Sequence, residues 1–387
     1  MADTIRVLHY FAFPGGGIGR YVHELLSHMV EVRDMEVELA CIPSYHHRQA
    51  ARYAIWPGLR DITHPSPWRR RVRFAINLVV NPLRAIRRAR ETGAQILHLS
   101  TIPHVTFAWW GRALRRSGIT LVATAHDVRR SQGLIHLGYE LEELKRLYRT
   151  CAAIFVHSEH QKRDLMDFAG VPAERVVIVP HGPYYHGRPQ GDKQSLRRRY
   201  GVPVDKQVAL FFGDIRPDKN LDLFLRAMVP FRDRLFLVVA GQAKNDDGKD
   251  ATYYKKLANG LGLADCVRWR LEYIPDEEVP DYLELCDWVA MPYSSRFTSQ
   301  SGVLNVAVAH RRPVLVTSTP TIAQTLARAE VGVCVDPDDL RSLTDGIARL
   351  LARQPESFCG AMDKYLQTYS WQTNATVAVD TYREVLR

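Results

Sequence analysis

Short apolar runs recur along this chain with amphipathic stretches between them. The runs at 5–10, 37–42, 96–99, 120–124, 153–156 and 176–179 read as strands, and helical patterns such as 21–30 lie between several of them. The same alternation returns at 208–212, 236–240, 267–270, 288–291, 313–317 and 332–335. Strands alternating with helices predict parallel sheets covered by helices. Two such doubly wound α/β domains are expected, joined near 180–188, because a chain of 387 residues exceeds one typical core and fits two domains of about 180 residues each.

Composition supports a globular chain: 46% of residues are hydrophobic and 24% charged, and no run of 18 apolar residues suggests a membrane span. The start, Met1-Ala2-Asp3-Thr4-Ile5-Arg6-Val7-Leu8, enters a strand without the apolar stretch of a signal peptide, so a cytoplasmic location is expected. Six scattered cysteines without a Cys-x-x-Cys pair argue against a zinc site or a disulfide framework.

The net charge of +10 is concentrated. Between Trp68 and Arg90 stand eight arginines and no acid, interleaved with Phe74, Ile76, Leu78, Val79, Val80, Leu83 and Ile86. Such a segment suits an anionic membrane surface, with arginines on lipid headgroups and apolar side chains in the acyl boundary. The alternative is a solvated helix packed on its own domain. Nucleic acid is not an expected partner, since no recognised binding motif accompanies the charge.

Ligands of doubly wound sheets sit at the carboxyl ends of strands, which selects the candidate chemistry. Phe211-Phe212-Gly213-Asp214-Ile215-Arg216-Pro217-Asp218-Lys219-Asn220-Leu221 places an apolar strand, a glycine turn and two cations before a helical pattern. Glycine permits the turn, the helix start offers unpaired amides, and Arg216 and Lys219 add charge, a combination suited to phosphate. An ordinary strand-to-helix loop with surface cations is the other reading. After the first strand, Gly15, Gly16, Gly17 and Gly19 permit close backbone approach, but Arg20 stands where a dinucleotide fingerprint needs its last glycine, which disfavours hydride transfer. His126 follows the strand at 120–124 and could hydrogen-bond or act on a proton. His181-Gly182 is a second candidate with a weaker case. After the strand at 288–291, a serine and glycine loop leads into a helix through Ala309, whose first amides could wrap a diphosphate. Asp336-Pro337-Asp338 reads as a loop with a helix cap rather than a metal pair, and no metal is required.

Together these elements resemble the family 4 glycosyltransferases of the GT-B fold over nearly the whole chain. The resemblance implies two Rossmann-like doubly wound parallel-sheet domains facing across a cleft: an acceptor-binding domain at 1–183, a nucleotide-sugar domain at 184–369, and a terminal helix at 370–387 crossing back onto the first. Gly15 to Gly19 look like the family's first loop, His126 like its acceptor-side histidine, and Gly213 through Lys219 like its phosphate-binding turn. Lys219 falls at the family's lysine position, whereas Asp214 occupies the usual arginine position and Arg216 is displaced from it. Where the family carries two glutamates eight positions apart, this chain has Thr298 and Val306. Thr298, Gln300 and Ser301 are then candidates for sugar or phosphate contact, Gly302 and Val303 for amide contact, and Asn305 for the ribose.

The activity so implied is transfer of a sugar from a UDP- or GDP-sugar to a hydroxyl, retaining configuration and needing no metal. The diphosphate would be stabilised by Arg216, Lys219 and the amides at 301–303. The acceptor expected alongside the basic segment is a lipid-linked saccharide used in bacterial surface glycan or exopolysaccharide assembly, with the protein peripheral on the inner face of the plasma membrane. Two rivals keep the same architecture: a nucleotide-sugar epimerase, and a catalytically silent binding subunit that has lost the glutamates.

Overall fold

The computed structural model describes residues 4–62, 65–129, 134–179, 181–243, 248–297, 301–320, 322–323 and 330–387. The chain divides into two compact units, Met1–His181 with Ser370–Arg387, and Gly182–Tyr369.

In the first unit seven parallel strands, β1 (Ile5–Phe11), β2 (Met35–Cys41), β3 (Ala54–Trp56), β4 (Ile96–Leu99), β5 (Thr120–Thr124), β6 (Ala153–Val156) and β7 (Val176–Ile178), lie in the order β3-β2-β1-β4-β5-β6-β7. In the second unit β8 (Gln207–Phe212), β9 (Leu235–Ala240), β10 (Val267–Arg270), β11 (Trp288–Met291), β12 (Val314–Thr317) and β13 (Gly332–Val335) lie parallel in the order β10-β9-β8-β11-β12-β13. Strand order reverses between β1 and β4 and again between β8 and β11. These are the switch points where loops diverge and leave room for a ligand.

Every residue of β4, β6, β9, β11 and β12 is buried, which is why these strands appear in the sequence as unbroken apolar runs. The apolar runs locate twelve of the strands to within about two residues and miss β3, a three-residue edge strand too short to show a period. The helix expected at 21–30 is α1 (Gly16–Met29), which begins inside the glycines. The terminal helix Trp371–Val385, capped by Ser370, belongs to the first unit and buries Ala375, Ala378, Val379 and Tyr382 there. All six cysteines are free, and four of them are buried.

The basic segment forms α2 (Pro67–Thr92), whose two halves behave differently. The second half packs: Ala85, Ile86 and Ala89 are buried, Arg88 pairs with Glu38 at 2.6 Å, and Arg84 and Arg88 lie over the Trp56 ring. Asn77 and Asn81 pin the middle through hydrogen bonds to the Arg60 backbone. The first half stands in solvent, with Trp68 70% exposed and Val72 and Ile76 following at helical spacing beside exposed Arg69, Arg70 and Arg71. No helix among the described residues is long and apolar enough to cross a membrane.

Candidate functional site

In the first unit the chemistry gathers at the carboxyl ends of β5, β6 and β7. His126 follows β5, His157 follows β6 and His181 follows β7, so three adjacent parallel strands deliver three imidazoles to one edge. Tyr21, from the first turns of α1, sets its ring about 5 Å from each of them, and Trp371 of the terminal helix meets the Tyr21 ring at 5.4 Å. Gly15 to Gly17 lead into α1 beside this cluster, and Gly19 is buried against Phe11.

The hydrogen bonds order the cluster. His157 Nδ1 lies 2.8 Å from the Val179 carbonyl, and His157 Nε2 lies 2.9 Å from His126 Nδ1. Gln161, on the helix Glu159–Ala169, donates from Nε2 to the His126 carbonyl at 2.9 Å and accepts the His157 amide at 2.8 Å, so one side chain clamps both backbones. Burial, and then the neighbouring His157, hold the His126 imidazole well below its ordinary value, with the Ser100 backbone opposing. Burial brings His157 down to about 4, and His181 is lowered by burial and by both other rings. At neutral pH all three are uncharged.

One ring nitrogen from each of the three lies within 4.8 Å of the others, a spacing that would admit a divalent ion. His157 Nε2 and His126 Nδ1 already share a hydrogen bond, however, so a metal would have to replace it.

A separate buried network stands behind this edge. His9 and His98 stack at 4.4 Å, Tyr382 of the terminal helix bonds both rings, and His98 Nε2 meets Thr124 Oγ1 at 2.7 Å. It ties the terminal helix to the ends of β1, β4 and β5.

In the second unit the candidate residues meet at the β8/β11 switch point. Gly213 ends β8 at φ 87°, and a Cβ there would stand 3.2 Å from Lys219 Nζ and 3.5 Å from Val303, so three residues chosen from sequence converge. Gly241, after β9, has φ 150°, and its Cβ would fall 2.0 Å from the Gly213 carbonyl oxygen; only glycine fits. Lys219 is 7% exposed, lies over the Tyr293 ring and reaches the Phe212 carbonyl at 3.4 Å. Arg216 is more open and pairs with Asp218 at 3.2 Å. The helix Leu221–Met228 begins only after a tight turn at Pro217–Lys219 and after Asn220 at φ 57°, so the cations precede its first amides rather than cap them.

The serine loop and this turn are tied together. The Ser294 amide donates to the Asp218 carbonyl at 2.9 Å, while Asp338 accepts from the Ser295 amide and hydroxyl and from Asn220 Nδ2. Asp339, next to the expected aspartates, is the cap of the following helix Leu340–Leu351. Ser301 caps the helix Gly302–Ala309 and bonds the Tyr293 hydroxyl at 3.1 Å, leaving Gly302 and Val303 on the accessible first turn. Asn305 is buried, with Oδ1 accepting from Tyr365 Oη at 2.8 Å, and Val306 is buried in the core. Thr298 and Gln300 lie outside the described residues.

Sequence reasoning missed His157, Gln161, Gly241 and Asp338. His157 and Gly241 each stand directly after a strand, the signal that selected His126 and Gly213.

Comparison with known proteins adds the following. Residues 192–367 match the family model described as glycosyl transferases group 1, and residues 15–183 match glycosyltransferase family 4. A D-inositol 3-phosphate glycosyltransferase of Geodermatophilus obscurus is 28% identical over 236 residues, covering 59% of this chain and 52% of that protein. The chain thus spans about half the length of the curated relatives it matches. Among solved structures, HepE of Anabaena in complex with UDP and glucose has a TM-score of 0.77 at 15% identity, covering 98% of this chain and 100% of that one. A glycosyltransferase from Rickettsia africae has a TM-score of 0.76 at 13% identity, covering 100% and 99%.

Proposed function

Because the chain belongs to the family 4 glycosyltransferases and has the GT-B fold, we propose that it moves a hexose from a UDP- or GDP-sugar to an acceptor hydroxyl. The observation that carries this reading is the convergence of Gly213, Lys219 and Val303 at the β8/β11 switch point. A buried ammonium beside a glycine turn and an open helix start is a preorganised site for a leaving diphosphate. That HepE is solved in complex with UDP and glucose supports a nucleotide-sugar ligand.

As the glycosidic bond to the diphosphate breaks, negative charge grows on the leaving oxygen. Lys219 and Arg216 supply full charges and the first amides of the helix Gly302–Ala309 supply dipoles, a set that needs no metal. Transfer is retaining: the acceptor hydroxyl attacks on the face the diphosphate leaves and passes its proton toward the departing phosphate, so no carboxylate nucleophile is required. Val306, at the position of the family's second glutamate, is part of the core, which fits a route without that carboxylate.

The acceptor is a lipid-linked saccharide of a bacterial surface glycan, met at the inner face of the plasma membrane. The exposed first half of α2 supports this, since Trp68, Val72 and Ile76 form one apolar face beside Arg69, Arg70 and Arg71 while the second half is spent on packing. Assays of UDP- and GDP-sugars with the full chain and a lipid-linked saccharide in vesicles test the reading. Nucleoside diphosphate release that requires the acceptor supports transfer, and none with any pair sinks it. Flotation should show a preference for anionic vesicles that is lost in Trp68→Asp; equal flotation with neutral vesicles would remove the membrane claim.

A further inference from the structure

A cavity of about 290 Å³ lies at the edge of the first sheet, lined by Trp56, the last residue of β3, and by Arg84, Arg87, Arg88 and Glu91 of α2. Arg84 and Arg88 are one helical turn apart, so both guanidiniums reach the Trp56 ring, at 5.8 and 5.7 Å from its centre. Arg87 lines the same cavity beside them.

Each of these arginines is already held by one edge. Arg84 Nε donates to the Gly58 carbonyl at 2.6 Å. Gly58 is packed so closely on the indole that a Cβ there would stand 2.1 Å from it, and the absence of a side chain is what brings that carbonyl within reach. Arg88 gives Nε and Nη2 to the two oxygens of Glu38 at 2.9 and 2.6 Å, and Arg87 gives Nε to Glu91 at 2.8 Å. No hydrogen bond among the described residues takes up the terminal nitrogens of Arg84 or Arg87, or Nη1 of Arg88.

The charges do not balance either. Glu38 is occupied by Arg88 and Glu91 by Arg87, while Arg84 meets only a carbonyl. An anion in the cavity therefore finds an excess positive charge and guanidinium donors whose orientation is fixed before it arrives. Forks projecting from successive turns offer those donors in different directions, which suits a tetrahedral oxyanion better than a flat carboxylate.

We propose that this cavity binds a phosphate group, carried by a lipid headgroup or by a soluble phosphate. It shares no residue with either candidate site and does not depend on the transferase reading; only the lipid source rests on the membrane reading.

The test follows the Trp56 indole signal in proton–nitrogen NMR of the ¹⁵N-labelled full chain, assigned by its loss in Trp56→Phe, as inorganic phosphate replaces chloride at constant ionic strength. The signal should shift and saturate. Arg87 has a side chain 83% exposed, so Arg87→Gln should fold, and it should weaken phosphate binding about tenfold. Arg90→Gln removes the same charge from an exposed position outside the cavity and should leave binding within about twofold. Flotation with phosphatidic acid vesicles separates the sources: a lipid headgroup requires weaker flotation of Arg87→Gln than of Arg90→Gln, and a soluble phosphate predicts equal flotation of the two beside the NMR shift. A Trp56 signal that phosphate does not move, with equal flotation of both variants, overturns the proposal, as does equal weakening of phosphate binding by Arg87→Gln and Arg90→Gln. Failure of the transferase reading would show differently, as phosphate binding here without turnover on any sugar nucleotide.

Discussion

The two candidate sites, one in each unit, use opposite electrostatics. The histidine edge of the first unit is aromatic and neutral, with His157 buried and His126 and His181 half-buried, and its polarity lies in its hydrogen bonds. The β8/β11 switch point of the second unit presents a buried ammonium, an open guanidinium and a helix start. A neutral edge can orient hydroxyl groups without competing for phosphate, and a cationic one can hold a diphosphate as its charge grows. Glycines allow the backbone to come close in both, but for different purposes: Gly19 lets α1 pack on Phe11, whereas Gly213 and Gly241 let two strand ends nearly touch.

If this division is right, Lys219→Ala should do the most damage, lowering turnover about 10³-fold while the circular dichroism spectrum is retained, whereas His126→Ala should cost about 10²-fold. Equal small losses in steady-state rates would erase the contrast. Gly241→Ala should come next. Its Cβ meets the Gly213 carbonyl at 2.0 Å, so the variant should lose roughly 2 kcal/mol or more of stability in denaturant titration and weaken nucleotide binding. An unchanged unfolding midpoint would mean that the β8 and β9 ends have room the structure does not show.

Acid sharpens the comparison further. A histidine whose folded-state value is depressed stays neutral in the fold while the unfolded chain takes up a proton below about 6.5, so stability falls as pH falls. His9, lowered by burial to about 3, and His157, at about 4, lie in the first unit with His98, His126 and His181, also lowered, while the second unit has His310 at about 4. Each such group can cost up to about 1.4 kcal/mol per pH unit between 6.5 and its folded value. Hydrogen exchange at pH 7 and pH 5, corrected for intrinsic rates, should therefore show the first unit opening first. Earlier opening of the second would contradict the account.

The contrast also explains what was legible. The candidate phosphate loop is contiguous, eleven residues from Phe211 to Leu221, so strand, turn and cations could be read off together. The histidine edge is assembled from positions 126, 157 and 181, which only the β5-β6-β7 order brings together. His126 was visible as a residue after a strand; that it meets His157 was not, because pairing of parallel strands across intervening helices leaves no local trace. Gly241 was hidden for the same reason, since the need for it lies in the carbonyl of Gly213 on the neighbouring strand. Asp338 stood beside an expected cap and instead joins two loops, a role fixed by packing of β13's exit against the turns after β8 and β11. The halves of α2 divide according to which turns meet the sheet, information absent from its arginine-rich sequence.

The most direct test is calorimetric titration of UDP, GDP and ADP into the full chain and into Lys219→Ala. The account predicts that one nucleoside diphosphate binds selectively to the wild type, and that binding is lost in the variant. Absence of binding by all three, or undiminished binding to Lys219→Ala, would contradict it.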